Sequence, residues 1–249
     1  MNRLKVICGS NTGYLENEAW LTEKTKLGDI CQVRVSAQNG VKPNLGGIEL
    51  AEALARVIPF AAKDKDRPVL SCVRFAQREG KLTLTASDGF RLAEATLDFE
   101  DGEAEALIDA QELRGLAGAI RKAKRVKVSF ENANLDTKAL VIETEAIHYR
   151  WTGVTGSYPN YLQVIPTEFV AEARFDTREL LRAGASLGAL FLDKEMPIAL
   201  SIKEGKLMLS VQDAKGEAQA EALTTGEAET GINARYFAQV LKALGVWPS

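Results

Sequence analysis

The chain has 249 residues, 46% hydrophobic and 26% charged, with a formal net charge of −3. That length accommodates one large domain or two modest ones, and the apolar fraction excludes wholesale disorder. No run of about 18 apolar residues offers a membrane span, no apolar core with a cleavage site opens the chain, and the mild acidity argues against a surface that coats nucleic acid everywhere.

In chain order, alternating apolar residues predict strands at 4–8, 14–21 and 31–36. Gly9-Ser10-Asn11-Thr12-Gly13 lacks the Gly-Lys-Ser/Thr of a phosphate loop and reads as a turn between strands. Ile48-Glu49 opens a helix with Leu50, Leu54, Val57, Ile58 and Ala61 on one face. Asp64 and Asp66 alternate with lysines in a solvated loop before Arg67. Gly80-Lys81-Leu82-Thr83-Leu84-Thr85-Ala86-Ser87-Asp88 has the period of a half-buried strand. Ile108-Asp109-Ala110 then introduces a second helix with Leu113, Leu116, Ala117 and Ile120, Asp109 standing at its N-cap. Strands follow at 126–130, 140–145 and 147–151, ending at the turn signal Ser157-Tyr158-Pro159-Asn160-Tyr161. Phe175-Asp176-Thr177 opens a third helix with Leu180, Leu181 and Leu187, and Met196-Pro197 reads as a strand entry. Gly205-Lys206-Leu207-Met208-Leu209-Ser210-Val211-Gln212-Asp213 is another strand, and Ile232-Asn233-Ala234 begins a fourth helix with Phe237, Val240, Leu241 and Leu244.

These elements repeat. Gly80 and Gly205 are 125 residues apart, Ile108 and Ile232 are 124 apart, and Ile48 and Phe175 are 127 apart. Copy one runs over 47–166 and copy two over 167–249, the second stopping after its second helix. Residues 1–46 form a β-rich segment, read either as a remnant or as a permuted half-domain that supplies copy two's three further strands. Arg3-Leu4-Lys5-Val6 resembles Arg125-Val126-Lys127-Val128, and Pro43-Asn44 stands where Pro159-Asn160 would. On the permuted reading each chain holds two domain equivalents. The fold class is α+β.

Charge is sorted along the chain. Basic pairs return to one helix face: Arg56 and Lys63, Arg114 and Arg121, Arg178 and Arg182, Arg235 and Lys242, with Lys122, Lys124 and Arg125 beside the second pair. Acids crowd the segments after the repeated strands: Glu94, Asp98, Glu100, Asp101, Glu103 and Glu105, then Glu217, Glu221, Glu227 and Glu229. A plain solvated helix face accounts for such basic residues as well as a polyanion-facing one does. A polyanion-facing surface would bind phosphates by charge and without sequence preference. Cys8, Cys31 and Cys72 form no CxxC pair and read as reduced thiols of a cytoplasmic protein. His148 is the only histidine and has no accompanying catalytic motif, and Trp20, Trp151 and Trp247 form no stacking array. No catalytic residue, metal site or cofactor is read.

Asp66-Arg67-Pro68-Val69-Leu70, Thr85-Ala86-Ser87-Asp88-Gly89-Phe90-Arg91-Leu92-Ala93 and Ser157-Tyr158-Pro159-Asn160-Tyr161-Leu162-Gln163-Val164-Ile165-Pro166 together resemble the central domain of the bacterial sliding clamp, the beta subunit of DNA polymerase III. Residues 167–244, with Ile232-Asn233-Ala234-Arg235-Tyr236, resemble the first two-thirds of its third domain. The resemblance implies a DNA-clamp fold of tandem domains, two helices packed on antiparallel sheets in each. It implies a non-catalytic, homo-oligomeric ring whose helices face duplex DNA. DNA contact then falls to Arg56, Lys63, Arg114, Arg121, Lys122, Arg125, Arg178, Arg182, Arg235 and Lys242. Polymerase and clamp-loader subunits would dock by short linear peptides in a cleft between the central and third domains. Its residues carried over are Leu70, Ser87, Gly89, Phe90, Arg91, Leu92, Pro159, Gln163, Val164, Asn233 and Tyr236. Against the family the chain reads as shortened at both ends, and Phe90 and Gln163 replace polar and basic residues. The alternative function is a clamp-derived interaction module that closes no ring, with an enzyme a distant third.

Overall fold

The computed structural model describes residues 3–8, 11–16, 31–35, 41–64, 66–133, 137–188, 197–211 and 216–244. They fall into two compact units, Met1–Tyr158 and Pro159–Ser249. Of the sequence expectations, Gly9, Ser10, 17–21, Ser36, Met196, Trp20 and Trp247 lie outside the described residues, as does the side chain of Leu187.

In the first unit, β1 (Arg3–Cys8) and β2 (Asn11–Glu16) form a hairpin in which Cys8 faces Asn11. Asn11, Thr12 and Gly13 are therefore in the strand, not in the expected turn. Strand β3 (Cys31–Val35) pairs antiparallel with β10 (Ile147–Thr152), which continues through β9 (Lys138–Thr144) to β8 (Val126–Asn132). Of the described part of the N-terminal segment, β3 thus extends the first unit's own sheet, while β1 and β2 form a separate two-stranded sheet. A second sheet has the order β6 (Leu92–Asp98), β5 (Lys81–Ser87), β4 (Cys72–Arg78), β7 (Ala104–Asp109).

Helix α1 (Gly47–Val57) continues as a short 3-10 turn over Ile58–Phe60, where Pro59 supplies no N–H to extend the α ladder. It buries Leu50, Leu54 and Val57, the stripe its spacing predicts, and packs against α3 (Leu116–Lys122). The second helix is not continuous. Α short α2 (Ala110–Leu113), capped by Asp109 Oδ1 accepting from the Gln111 N–H at 2.7 Å, is separated from α3 by Arg114 and Gly115. Glycine costs helix about 1 kcal/mol relative to alanine, and the chain turns there while Leu113, Leu116 and Ile120 still reach the core. Phe75, Leu82, Leu84, Ile108, Leu140, Ile142 and Trp151 complete that core.

Between β3 and α1 the chain adds one isolated bridge to the sheet edge. Leu45 bridges Val126, the Asn44 N–H donates to the Val126 carbonyl at 3.2 Å, and the Asn44 amide both donates to and accepts from the Val128 backbone at 2.8 Å. A side-chain amide thus does the work of one more strand residue.

The second unit repeats the second sheet's design. After β11 (Glu172–Phe175) and α4 (Thr177–Gly188), β12 (Pro197–Lys203), β13 (Lys206–Val211), β14 (Glu217–Thr225) and β15 (Ala228–Asn233) are ordered β14-β13-β12-β15, matching β6-β5-β4-β7. Helix α5 (Ala234–Leu244) follows and packs on α4. Ala93 and Ala95 face Ala86 and Leu84, just as Ala218 and Ala220 face Leu209 and Leu207. One difference stands out: β11 lies against β14 as a fifth strand, while β6 ends its sheet. Leu180, Ile198, Leu207, Leu209, Val211, Ala220 and Leu241 form the core. Both helices are capped by the side chain before them, Asp176 Oδ1 taking the N–H groups of Arg178 and Glu179 at 2.8 and 3.0 Å and Asn233 Oδ1 that of Tyr236 at 3.1 Å.

Candidate nucleic-acid interface and partner face

The structure distributes the basic residues unevenly. Lys63, Arg114, Arg121, Lys122, Arg125, Arg178, Arg182, Arg235 and Lys242 are all exposed. Arg56 is half-buried, with Nε and Nη2 withdrawn from solvent, because its face of α1 turns toward the protein. In the first unit Arg114 sits at the break between α2 and α3, Arg121 and Lys122 occupy the last turn of α3, and Lys124 and Arg125 follow directly. Glu145 accepts the backbone N–H groups of Lys124 and Arg125 at 2.9 and 3.1 Å, which pins this turn to the β9–β10 connection and leaves both side chains exposed. In the second unit Arg178 lies 3.8 Å from its own cap residue Asp176, and Lys242 is in the last turn of α5.

Rows of acidic residues lie on single strands of the sheets. Glu94, Thr96 and Asp98 alternate outward along β6, and Lys81 of β5 pairs with Asp98. On β14 the outward row is Glu217, Gln219 and Glu221, and in the first unit Arg74 takes Glu105 at 2.6 Å. The strands also carry exposed cations, Arg78, Lys81, Arg174 and Lys203, so the sheets are mixed in sign, while the cations on the helices and the adjoining turns form a local positive excess of the kind that attracts a polyanion.

The partner residues carried over from the family fall in both units, and each group is described within its own. In the first unit, Leu70 ends a turn in which its N–H and that of Ser71 both donate to the Arg67 carbonyl at 3.1 Å. Ser87, Gly89, Phe90, Arg91 and Leu92 form the β5–β6 connection. Gly89 has φ +91°, a backbone that favours glycine, and Phe90 beyond it is 77% exposed. Arg91 turns inward: its side chain is only 12% exposed, ion-paired to Asp88 at 2.6 Å and laid over the buried Phe60 ring at 5.2 Å. The cation at the surface there is Arg67, 44% exposed, which donates to the Asp88 carbonyl at 3.0 Å and lies 3.9 Å from Asp64. Sequence reasoning named Arg67 only as part of a motif and did not single out Phe60 or Asp88: the Arg67–Asp88 and Phe60–Arg91 contacts are not local, whereas the Asp88–Arg91 pair spans only three residues and its turn offered the signal. In the second unit Pro159, Gln163 and Val164 are exposed along a 3-10 turn, Tyr161–Val164, and Asn233 and Tyr236 are half-buried at the start of α5.

The remaining single residues have structural surroundings. His148 Nδ1 lies 3.1 Å from Glu143 across β9–β10, and Trp151 is buried with Tyr149 stacked on it at 5.3 Å. Cys72 is fully buried, and burial, with a smaller contribution from the Asp109 charge, pushes its thiol up to about 12. Among the described residues no cluster of His, Cys, Asp and Glu is placed to hold a metal ion, and no helix is long and apolar enough to cross a membrane.

Helices paired on antiparallel sheets, with the same strand order in two successive units and basic side chains on the helices, define a protein of the DNA-clamp class. Residues 44–160 match the family model for the DNA polymerase III beta subunit, central domain. Curated relatives include the beta sliding clamp of Synechocystis, 30% identical over 225 residues, covering 82% of this chain and 57% of the relative. That of Haemophilus influenzae is 24% identical, covering 77% and 53%. Solved structures with the same fold include a putative DNA polymerase III beta subunit from Eubacterium rectale (16% identity, TM-score 0.72, 98% of this chain and 65% of that one). Another is the Pseudomonas aeruginosa sliding clamp bound to griselimycin (19% identity, TM-score 0.67, 97% and 64%). Residues 44–160 thus form a DNA polymerase III beta subunit central domain, and the chain is similar to beta sliding clamps along most of its length. It spans somewhat more than half the length of the curated relatives it matches.

Proposed function

We propose that this chain is a non-catalytic, sliding-clamp-like processivity factor of the cytoplasm, which encircles or contacts duplex DNA without sequence preference and tethers polymerase and other replication or repair proteins. The observation that carries the reading is the local excess of exposed cations: Arg121, Lys122, Arg178, Arg182, Arg235 and Lys242 on helices and Arg114 at the break between α2 and α3. Such a helix surface neutralises phosphates and releases counterions, which suits a protein that moves along DNA. In this reading Lys63 and Arg125 join the DNA surface, and the half-buried Arg56 is its weakest member. Six domain equivalents close a ring of several copies, with 1–46, 47–166 and 167–249 as its building segments.

Leu70, Ser87, Gly89, Phe90, Arg91 and Leu92 take partner peptides, with Pro159, Gln163, Val164, Asn233 and Tyr236 contributing from the second unit. The mixture of apolar and polar groups on these positions supports that use. The test is retention on nicked circular DNA at high salt, compared with linear DNA of the same length. A topologically linked ring stays on the circle and runs off the linear form. Loss from both, since purely electrostatic contacts weaken steeply with salt, identifies a clamp-derived interaction module instead.

A further inference from the structure

The turn that carries the chain from α3 into β8 is held from outside. Helix α3 ends with the Ala123 N–H on the Ile120 carbonyl at 3.0 Å, and the extended backbone of Ala123 then leads the chain toward Val126. The N–H groups of Lys124 and Arg125 lie between helix and strand. Both are taken by one carboxylate, that of Lys124 by Glu145 Oε1 at 2.9 Å and that of Arg125 by Oε2 at 3.1 Å. The start of α1 also passes close to this turn: a Cβ on Gly47 would lie 2.9 Å from the Ile120 carbonyl oxygen and 3.2 Å from that of Ala123, a spacing that glycine accommodates.

Glu145 stands on a fixed support. Thr144, 4% exposed, accepts the N–H groups of Ala146 and Ile147 at 3.3 and 2.9 Å and donates to the Ile147 carbonyl at 3.2 Å, which locks the β9–β10 connection. The Lys124 N–H above all, then the N–H groups of Glu145 itself and of Arg125 and the Lys124 charge, outweigh desolvation and hold this carboxyl below the usual carboxylate range, so it is charged at neutral pH. An anion beside the exposed Lys122 and Lys124 opposes a polyanion by charge alone. Exposed charges are screened by salt, however, whereas a loose turn that must be ordered on binding costs conformational entropy in any buffer. The second effect favours keeping the carboxylate.

From this geometry we infer that Glu145 is a positioning residue of the DNA surface: without touching DNA, its carboxylate holds the turn after α3 in the conformation that sets the Lys122 and Lys124 ammonium groups against duplex phosphates. The inference rests on the proposed reading of the end of α3 as a DNA contact, and it adds Lys124 to that contact. It also gives the β9–β10 connection, which carries no cation of its own, a part in binding.

The experiment measures binding of the whole chain to a short linear duplex over a series of salt concentrations, by fluorescence anisotropy, for wild type, Glu145→Ala, Glu145→Gln and the double variant Lys122→Ala/Lys124→Ala. Removal of a negative charge alone would tighten binding. Positioning predicts the opposite sign: Glu145→Ala weakens binding by about threefold or more and lowers the slope of log affinity against log salt by about 1, one phosphate contact being worth about 0.9. Glu145→Gln, which keeps one acceptor and gives up the second, falls between Glu145→Ala and wild type. Amide hydrogen exchange quickens at Lys124 and Arg125 in Glu145→Ala, while α1 and the strands of the first unit stay protected. Glu145 variants that bind as tightly as wild type or more tightly, with its slope, overturn the inference and leave the DNA surface intact. Loss of protection throughout the first unit in Glu145→Ala leaves Glu145→Gln to decide between the same two outcomes. A Lys122→Ala/Lys124→Ala protein with the wild-type slope overturns the reading of this turn as a DNA contact, and the inference with it.

Discussion

Glu79 and Glu204, 125 residues apart, adopt the same backbone: each has φ +49° and precedes a glycine, Gly80 at +69° and Gly205 at +78°. Each pair turns a two-residue hairpin, Arg78 facing Lys81 in one unit and Lys203 facing Lys206 in the other. Positive φ at both central residues is the type I′ geometry, whose twist matches that of the strands it joins. The repeat therefore extends below the level of element order to the dihedral angles of one turn.

A residue with a Cβ is strained in that region by about 1–2 kcal/mol, and asparagine tolerates it better than glutamate. Glu79→Asn and Glu204→Asn should each stabilise their unit by about 0.5–1 kcal/mol, whereas Gly80→Ala should destabilise the first unit by at least as much. Chemical denaturation midpoints of the single variants check this. A Glu79→Asn protein less stable than wild type would mean that the turn geometry is not the controlling term.

Gly118 lies inside α3 with open space where a Cβ would stand, and it faces solvent. Gly118→Ala should raise stability by about 0.5–1 kcal/mol through helix propensity alone. Thermal melting should move up by a few degrees with retention on circular DNA unchanged. A drop in retention would show that a basic side chain of α3 needs that space.

Asp88 carries a pH signature. Burial, its largest single influence, pushes the carboxyl up, but the Arg91 guanidinium, the N–H groups of Phe90 and Arg91 and the Arg91 charge together hold it below the usual carboxylate range. A group whose folded-state value is lowered adds stability above its unfolded value, about 3.9, and loses it as pH falls through the folded one. Asp88→Asn should therefore be less stable than wild type at pH 7, and the gap should close on acidification below about pH 4. Melting curves of the two proteins from pH 7 to pH 3 give the comparison. A gap independent of pH would assign the loss to packing, not to the ion pair.

The exposed helix cations predict a salt-dependence change. Each phosphate contact contributes a slope of about −0.9 in the logarithm of affinity against the logarithm of salt. Replacing Arg114, Arg121 and Lys122 by alanine together should reduce the slope by up to about 3, while Lys203→Ala, exposed at the end of β12 on the sheet, should leave it unchanged. Arg56→Ala should instead lower stability more than DNA affinity, since its guanidinium is largely withdrawn from solvent. Equal slope changes from the helix and sheet variants would remove the case for a helix-facing duplex.

Taken alone, the sequence determined whatever is written in local periodicity. Leu82 and Leu84 alternate with polar residues and form a strand; Leu50, Leu54 and Val57 recur at helical spacing and form a buried stripe; Asp109, Asp176 and Asn233 cap the helices they precede. The repeat was legible because turn residues and apolar alternation recur together. Tertiary structure decided which face each polar side chain serves. Nothing near Asn44 in the chain announces its pairing with Val128, 84 positions away. Helical spacing placed Arg56 in one row with Lys63, but α1 ends at Val57 and its 3-10 continuation at Phe60, so Lys63 lies beyond the helix and is exposed while packing withdraws Arg56 from solvent. Arg91 looked like a surface residue of the partner face, yet Asp88 and Phe60 draw it inward and leave Arg67 as the exposed cation. A long charged side chain reaches several ångströms in more than one direction, and its energy is set by the partners found there. Asp88 is local to Arg91, but Phe60 and the partners of Asn44 come from other elements, so the assembled fold selects among them.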